Sequence, residues 1–281
     1  MTYERRVDRN NPSLILFLVD QSASMSDPMQ GAGVSKAVAL ADQLNSLLYE
    51  LIQRCTKSLN EPPRPYFAIG VIGYRTDESG NPVVGSLLQL TDAEGPLAWT
   101  TQLANQPLRL EERTRQVGTD TQRYVVPIWV DALAAGGTPV CAAMNFIGRI
   151  VRGWVDRYPD SFPPIIINLS DGESTDGDPA EWSRRLRTLG TSDGPTLFFN
   201  LDLSSTTAAP ALFASAPQQG WSRFSTAMFE MSSELPAVML SAAHAQGFNV
   251  GPGARGFGVN ADFRSVVTFL NIGTSIGHLL R

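Results

Sequence analysis

The sequence predicts an α/β fold, a Rossmann-like three-layer αβα sandwich around a central, mostly parallel sheet with one antiparallel edge strand. Leu14-Ile15-Leu16-Phe17-Leu18-Val19 is an unbroken apolar run with neither helical nor alternating period, which suits a parallel strand covered on both faces. Pro163-Pro164-Ile165-Ile166-Ile167-Asn168-Leu169-Ser170 repeats that pattern far along the chain. Stretches of helical period lie between and beyond these runs, and strands that alternate with helices build an open parallel sheet.

Taken in order, residues 1–11 read as a charged, mobile lead-in and residues 12–281 as a single domain. After the first strand, Val34, Val38, Ala41, Leu44, Leu48 and Leu51 recur at helical spacing, predicting a long helix over 33–54. Glu61-Pro62-Pro63-Arg64-Pro65 ends it. Tyr66 to Tyr74 is the second strand and Val83 to Leu90 the third, joined by a turn short enough for a hairpin and hence for an antiparallel edge. A helix follows over 138–158, with Ala142, Phe146, Ile150 and Val151 on one face. Asp178-Pro179-Ala180-Glu181 places a capping residue, a first-turn Pro and a Glu in sequence, starting a helix that runs to about Leu189. Thr196 to Leu201 is a further buried strand, Trp221 to Thr226 a short one, and 233–245 and 262–280 are closing helices. An insertion at about 91–133 departs from this alternation. It gathers Arg109, Glu111, Glu112, Arg113, Arg115 and Arg123 between Trp99 and Trp129, and reads either as a surface helix and loop laced with ion pairs or as a rim for partner recognition.

The chemistry is concentrated where strands end. Asp20, Ser22 and Ser24 stand at alternate positions directly after the first apolar run, Asp171-Gly172-Glu173 follows the second, and Ala135-Gly136-Gly137-Thr138-Pro139 is a tight turn between them. In open α/β sheets the site lies at the strands' carboxyl ends. Asp20, Ser22, Ser24, Thr138 and Asp171 all offer hard oxygen, which suits Mg²⁺, with Mn²⁺ and Ca²⁺ as alternatives. Two carboxylates balance a divalent ion, and three neutral hydroxyls leave it electrophilic toward one further carboxylate. Glu173, Asp176 and Asp178 read as rim charges or helix caps.

This combination resembles the von Willebrand factor A domain family, whose metal-ion-dependent adhesion site is an Asp-x-Ser-x-Ser loop, a distant Thr and an Asp followed by Gly. The resemblance covers most of residues 12–281, and Met25 with the Gly136-Gly137-Thr138-Pro139 turn is similar to the intracellular prokaryotic branch. It implies that Ser22, Ser24 and Thr138 bind Mg²⁺ directly or through water, with Asp20 and Asp171 often acting through water. No enzymatic activity is expected, since Asp20 has no second acid beside it and no His nearby in sequence. Small stand-alone members of that branch belong with protein kinases and phosphatases or with tellurite-resistance-type stress systems. The expected function is therefore metal-dependent docking of an Asp or Glu of a protein partner, such as a kinase or phosphatase, in a cytoplasmic signalling or stress-response assembly. The alternatives are a phosphohydrolase with Asp20 as nucleophile and a scaffold whose metal is structural.

Composition and rival motifs narrow the field. The 281 residues are 43% hydrophobic and 17% charged, enough to bury a large core. A net charge of -5 argues against nucleic acid, which selects a clustered basic face. No run reaches membrane-spanning length, and the polar start does not read as a signal peptide. Cys55 and Cys141 read as buried, reduced residues. Gly251-x-Gly253-x-x-Gly256 lacks the preceding strand of a dinucleotide site. An EF-hand loop from Asp20 would meet Gly31 where Glu is required. A haloacid-dehalogenase-type phosphatase needs an acid at Ser22. A Ser-His-Asp hydrolase finds only His244 and His278, and no elbow at Ser170.

Overall fold

The computed structural model describes residues 3–58, 60–92, 95–117, 120–204 and 210–274. β1 (Ser13–Asp20) leads through a 3-10 turn (Ala23–Ser26) into α1 (Lys36–Arg54), β2 (Phe67–Thr76), β3 (Pro82–Ser86), β4 (Ala98–Trp99) and α2 (Thr100–Asn105). β5 (Arg109–Val117), β6 (Asp120–Ile128), α3 (Val140–Arg157), β7 (Ile165–Ser170) and α4 (Pro179–Leu186) follow. The chain continues through β8 (Gly190–Thr191), β9 (Gly194–Pro195), β10 (Leu197–Asp202), β11 (Ala211–Leu212), α5 (Arg223–Met231), α6 (Ala237–Ala245), β12 (Phe257–Val259) and α7 (Phe263–Gly273).

The main sheet runs β11-β12-β10-β7-β1-β2-β3, with β4 also paired to β2. From β12 to β2 every pairing is parallel. β3 is the expected antiparallel edge, and the two-residue strands β4 and β11 add further antiparallel pairings. β1 is buried at every position, and its alternate residues serve two cores. Ile15, Phe17 and Val19 meet α1, α6 and α7 on one face. Leu14, Leu16 and Leu18 meet α3, α4 and α5 on the other. This two-sided burial explains the continuous apolar run and makes the molecule three layers deep. Among the described residues no helix is long and apolar enough to cross a membrane.

Several expectations are corrected in detail. α1 begins at Lys36, because the Ser35 side chain accepts from Val38 N and caps it. Val34 and Val38 are 41% and 39% exposed, whereas Ala41, Leu44, Leu48 and Leu51 are buried as expected and are joined on the core face by Leu40 and Leu47. On α3 Val151 is buried as expected, but Ala142, Phe146 and Ile150 are only half-buried, and the rest of the stripe is Ala143, Ile147 and Trp154. The insertion is chiefly a hairpin of β5 and β6, not a helix. Its ion pairs are present, Arg113 to Asp42 at 2.7 Å and Arg109 to Asp131 at 2.7 Å among them. Residues 223–231 are a helix, not a strand, since Ser222 Oγ accepts from Ser225 N at 2.9 Å and caps it. α6 starts at Ala237 because Ser233 N and Leu235 N bond to Phe198 and Ala254 carbonyls, holding the chain extended up to Pro236. Asp262 caps α7, which ends at Gly273; the expected continuation over 275–280 lies outside the described residues.

The lead-in makes specific contacts. Val7 is fully buried, and Asp193 accepts from the backbone N–H groups of Glu4 and Arg5 at 3.1 and 3.0 Å. The Gly251 to Gly256 segment follows a helix and precedes β12, the reverse of a dinucleotide turn. Cys55 and Cys141 are free and buried, and burial pushes the Cys55 thiol up to about 11.

Candidate metal centre

Consecutive parallel strands diverge at β1. The chain leaves β1 toward β2 on one side and returns at β7 on the other, opening a crevice at their carboxyl ends. Asp20 ends β1 and Ser170 ends β7. One Asp20 oxygen accepts from Ser22 N at 2.8 Å and the other from Ser170 Oγ at 2.6 Å. Burial dominates its ionisation, raising the carboxyl to about 6 against the pull of these hydrogen bonds, and nearby Asp171 adds a smaller push. Past Asp20 the chain turns tightly, Met25 N bonding to Ser22 O, and the fully buried Met25 anchors the loop. Ser22 Oγ and Ser24 Oγ lie 3.1 Å apart, and Ser24 Oγ donates to Asp171 Oδ1 at 2.6 Å.

The Thr138 turn is laced to the same loop. Ala135 N bonds to Gln21 O at 2.7 Å and Ala23 N to Gly136 O at 2.9 Å. Gly136 sits at φ +74°, where a Cβ would fall 2.2 Å from Thr76 O, so both conformation and space demand glycine. Thr175 holds Thr138 from both sides, accepting from Thr138 N at 3.1 Å and donating its own N–H to Thr138 O at 2.9 Å. Asp176 accepts from Cys141 N and Ala142 N at 2.9 and 2.8 Å, capping the first turn of α3. Asp178 caps α4 through Ala180 N. Both acids thus act as caps.

The five side chains singled out in the sequence come together. A Cβ on Gly172 would stand 3.7 Å from Thr138 Oγ1 and 4.0 Å from Ser24 Oγ, so the hydroxyls converge on the space that this glycine leaves open beside Asp171. Asp20, Ser22 and Thr138 are 1%, 3% and 5% exposed. Among the described residues no three or more His, Cys, Asp or Glu side chains gather into a metal site; this cradle holds two carboxylates and three hydroxyls. Such a donor set fits a hard, hydrated divalent cation.

One participant escaped the sequence reading. Lys36, the first residue of α1, places Nζ 2.8 Å from Asp171 Oδ2, with the two side chains 4% and 1% exposed. A ladder of buried polar groups backs the site, Tyr74 Oη donating to Asn168 Oδ1 at 3.0 Å and Asn168 Nδ2 to Asn200 Oδ1 at 3.1 Å. Beside the cradle, a cleft of about 770 Å³ runs from Ser170 and Gly172 to Trp221, Phe224 and Met228.

No model of a known protein family matches the sequence, and no curated protein matches it. Solved structures do. A pilus adhesin, SpaC from Lactobacillus rhamnosus GG, superposes with a TM-score of 0.50 at 11% identity over 95% of this chain and 30% of its own. Proximal thread matrix protein 1 from the mussel byssus gives 0.46 at 12% identity over 95% and 48%. Manganese-loaded Plasmodium vivax TRAP protein gives 0.43 at 13% identity over 95% and 74%. This chain spans less than half the length of the first two. The likeness is one of fold alone, an α/β sandwich around a mostly parallel sheet.

Proposed function

We propose that this chain is a protein-interaction module in which Mg²⁺, held by Asp20, Ser22, Ser24, Thr138 and Asp171, receives an Asp or Glu side chain of a partner protein. The observation that carries this reading is the convergence of three separate loops: the Ser24 and Thr138 hydroxyls face the space beside Gly172, Asp171 and Ser22 lie within hydrogen-bond reach of Ser24, and Asp20 holds the Ser22 backbone. When bound, the ion supplies a Lewis-acidic position that a carboxylate can fill in place of water. The chain's own part is to hold the donors: Asp20 fixes the Ser22 backbone, Ser24 orients Asp171, and Thr175 orients Thr138.

A nucleophilic role for Asp20 has less support. The position two residues on is Ser22, so no second acid stands beside Asp20 to protonate a leaving group, and Asp20 is 1% exposed. We assign the module to signalling or stress-response assemblies of the cytoplasm, with a kinase or phosphatase as partner, on the resemblance alone.

Affinity capture with Mg²⁺ and with chelator, using wild type, Thr138→Ala, Asp171→Ala and Arg113→Ala, tests the proposal. Thr138→Ala should weaken capture while sparing the fold, Asp171→Ala should abolish metal and partner binding together, and Arg113→Ala should alter capture alone. An Asp171→Ala protein that still captures the same partner in chelator contradicts metal docking.

A further inference from the structure

Lys36 and Lys57 are the only lysines among 22 basic Lys and Arg residues. Lys57 is exposed on the surface, whereas Lys36 is 3% exposed and sits against Asp171. A chain that uses arginine almost everywhere has placed a compact ammonium here, and arginine's planar fork is no substitute for it in a tight cradle. The position is also adverse for a cation in purely helical terms. Lys36 is the first residue of α1, whose first turn carries no acid, and the partial positive charge at a helix N-terminus favours anions. Its placement is therefore explained by what its head group meets. Nζ lies 2.8 Å from Asp171 Oδ2, while Ser24 Oγ holds the other oxygen of the same carboxylate. A second carboxylate stands close by: Asp27, 63% exposed at the rim, is 3.9 Å from Nζ. Lys36 N also donates to Asp27 O at 2.9 Å, so the two residues stay neighbours wherever the side chain points.

We propose that Lys36 is the resident counter-cation of the metal-free cradle: it neutralises Asp171 until a divalent ion takes that carboxylate, and then turns to Asp27. This rests on the metal-docking reading and adds a term to it. A buried carboxylate left without a partner is strongly unfavourable, so the pair stabilises the empty site. The same pair must open before Asp171 can serve an ion, so Lys36 lowers metal affinity and moves half-occupancy to a higher metal concentration.

The test titrates Mg²⁺ into wild type and Lys36→Met by calorimetry, alongside acylation of the wild-type lysines read by mass spectrometry, with exposed Lys57 as internal reference. Lys36→Met should bind Mg²⁺ at least about tenfold more tightly, because the ion no longer competes with a buried ion pair. In wild type the labelling of Lys36 relative to Lys57 should rise as Mg²⁺ is added; this readout needs no variant to fold. Wild-type Mg²⁺ binding with equal or weaker affinity in Lys36→Met, or a labelling ratio blind to Mg²⁺, overturns the Lys36 role and leaves metal docking standing. Metal binding by Lys36→Met but not by wild type upholds Lys36 as counter-cation and overturns docking through a native metal. Failure of both proteins to bind overturns both.

Discussion

Ser170 Oγ donates a 2.6 Å hydrogen bond to Asp20 Oδ2, tying the last residue of β7 to the last residue of β1. The two strands are parallel neighbours paired as far as Val19 and Leu169, so this bond carries their register one step beyond the backbone ladder into the site. Removing the hydroxyl in Ser170→Ala leaves a buried carboxylate oxygen without its donor. The loss should be about 1.5–3 kcal/mol of stability where Asp20 is ionised, measured by denaturant unfolding at pH 8 in chelator, and should shrink near pH 4.

Asp20 also sets a pH dependence. Its folded value is about 6, above the ordinary 3.8, so the folded protein holds the proton more tightly than the unfolded chain. Metal-free stability should therefore be highest below about pH 4 as far as this group is concerned. It should fall as pH rises toward 6 and level off above, by about 3 kcal/mol in all. The difference between wild type and Asp20→Asn across this range, in chelator, isolates the contribution. A difference that does not change with pH contradicts the account.

Two glycines should respond in opposite directions. Gly136→Ala forces a Cβ toward Thr76 O at a positive φ and should cost about 1–3 kcal/mol while displacing Thr138. Gly153 lies inside α3 with no atom within 4 Å of an added Cβ, so Gly153→Ala should stabilise by about 0.5–1 kcal/mol. Thermal melts of both variants check the pair.

Asn45 clamps the approach to the Thr138 turn. Its Oδ1 accepts from Trp129 N and Val130 N at 2.8 and 3.0 Å, and its Nδ2 donates to Val130 O at 2.9 Å. Asn45→Ala strands buried backbone groups and should cost about 2–4 kcal/mol, with Mg²⁺ affinity falling as the turn loosens. Unchanged stability in denaturant unfolding would remove Asn45 from this role.

The parts of the fold that were legible in the sequence are those where burial is extreme or a cap is explicit. β1 and β7 read as strands because both faces are covered, and α4 read as a helix because Asp178 and Pro179 announce it. Asp20, Ser22, Ser24 and Asp171 are legible from those strand ends, whereas Thr138 is legible only from its Gly-Gly turn and the family resemblance. The hairpin was not legible, since β5 carries charges on both faces and β6 contains Pro127, so neither shows an alternating pattern; Leu110 and Val125 are 66% and 59% exposed. The start of α5 resembles a short strand in sequence because Trp221 to Thr226 is a brief stretch with two aromatics; the helical signal lies in the Ser222 cap and in the spacing of Trp221, Phe224 and Met228. Lys36 was missed because it enters the site from across the intervening loop. Its scarcity was the available signal, one of two lysines in an arginine-rich chain.

The most direct measurement is the unfolding free energy of the wild-type protein in Mg²⁺, in Mn²⁺ and in chelator. If the cradle binds an ion in the folded state only, Mg²⁺ at a hundred times its dissociation constant should stabilise the fold by about 2.7 kcal/mol, and Asp171→Ala should lose that gain. Coincident unfolding curves in Mg²⁺, Mn²⁺ and chelator would contradict the metal centre itself.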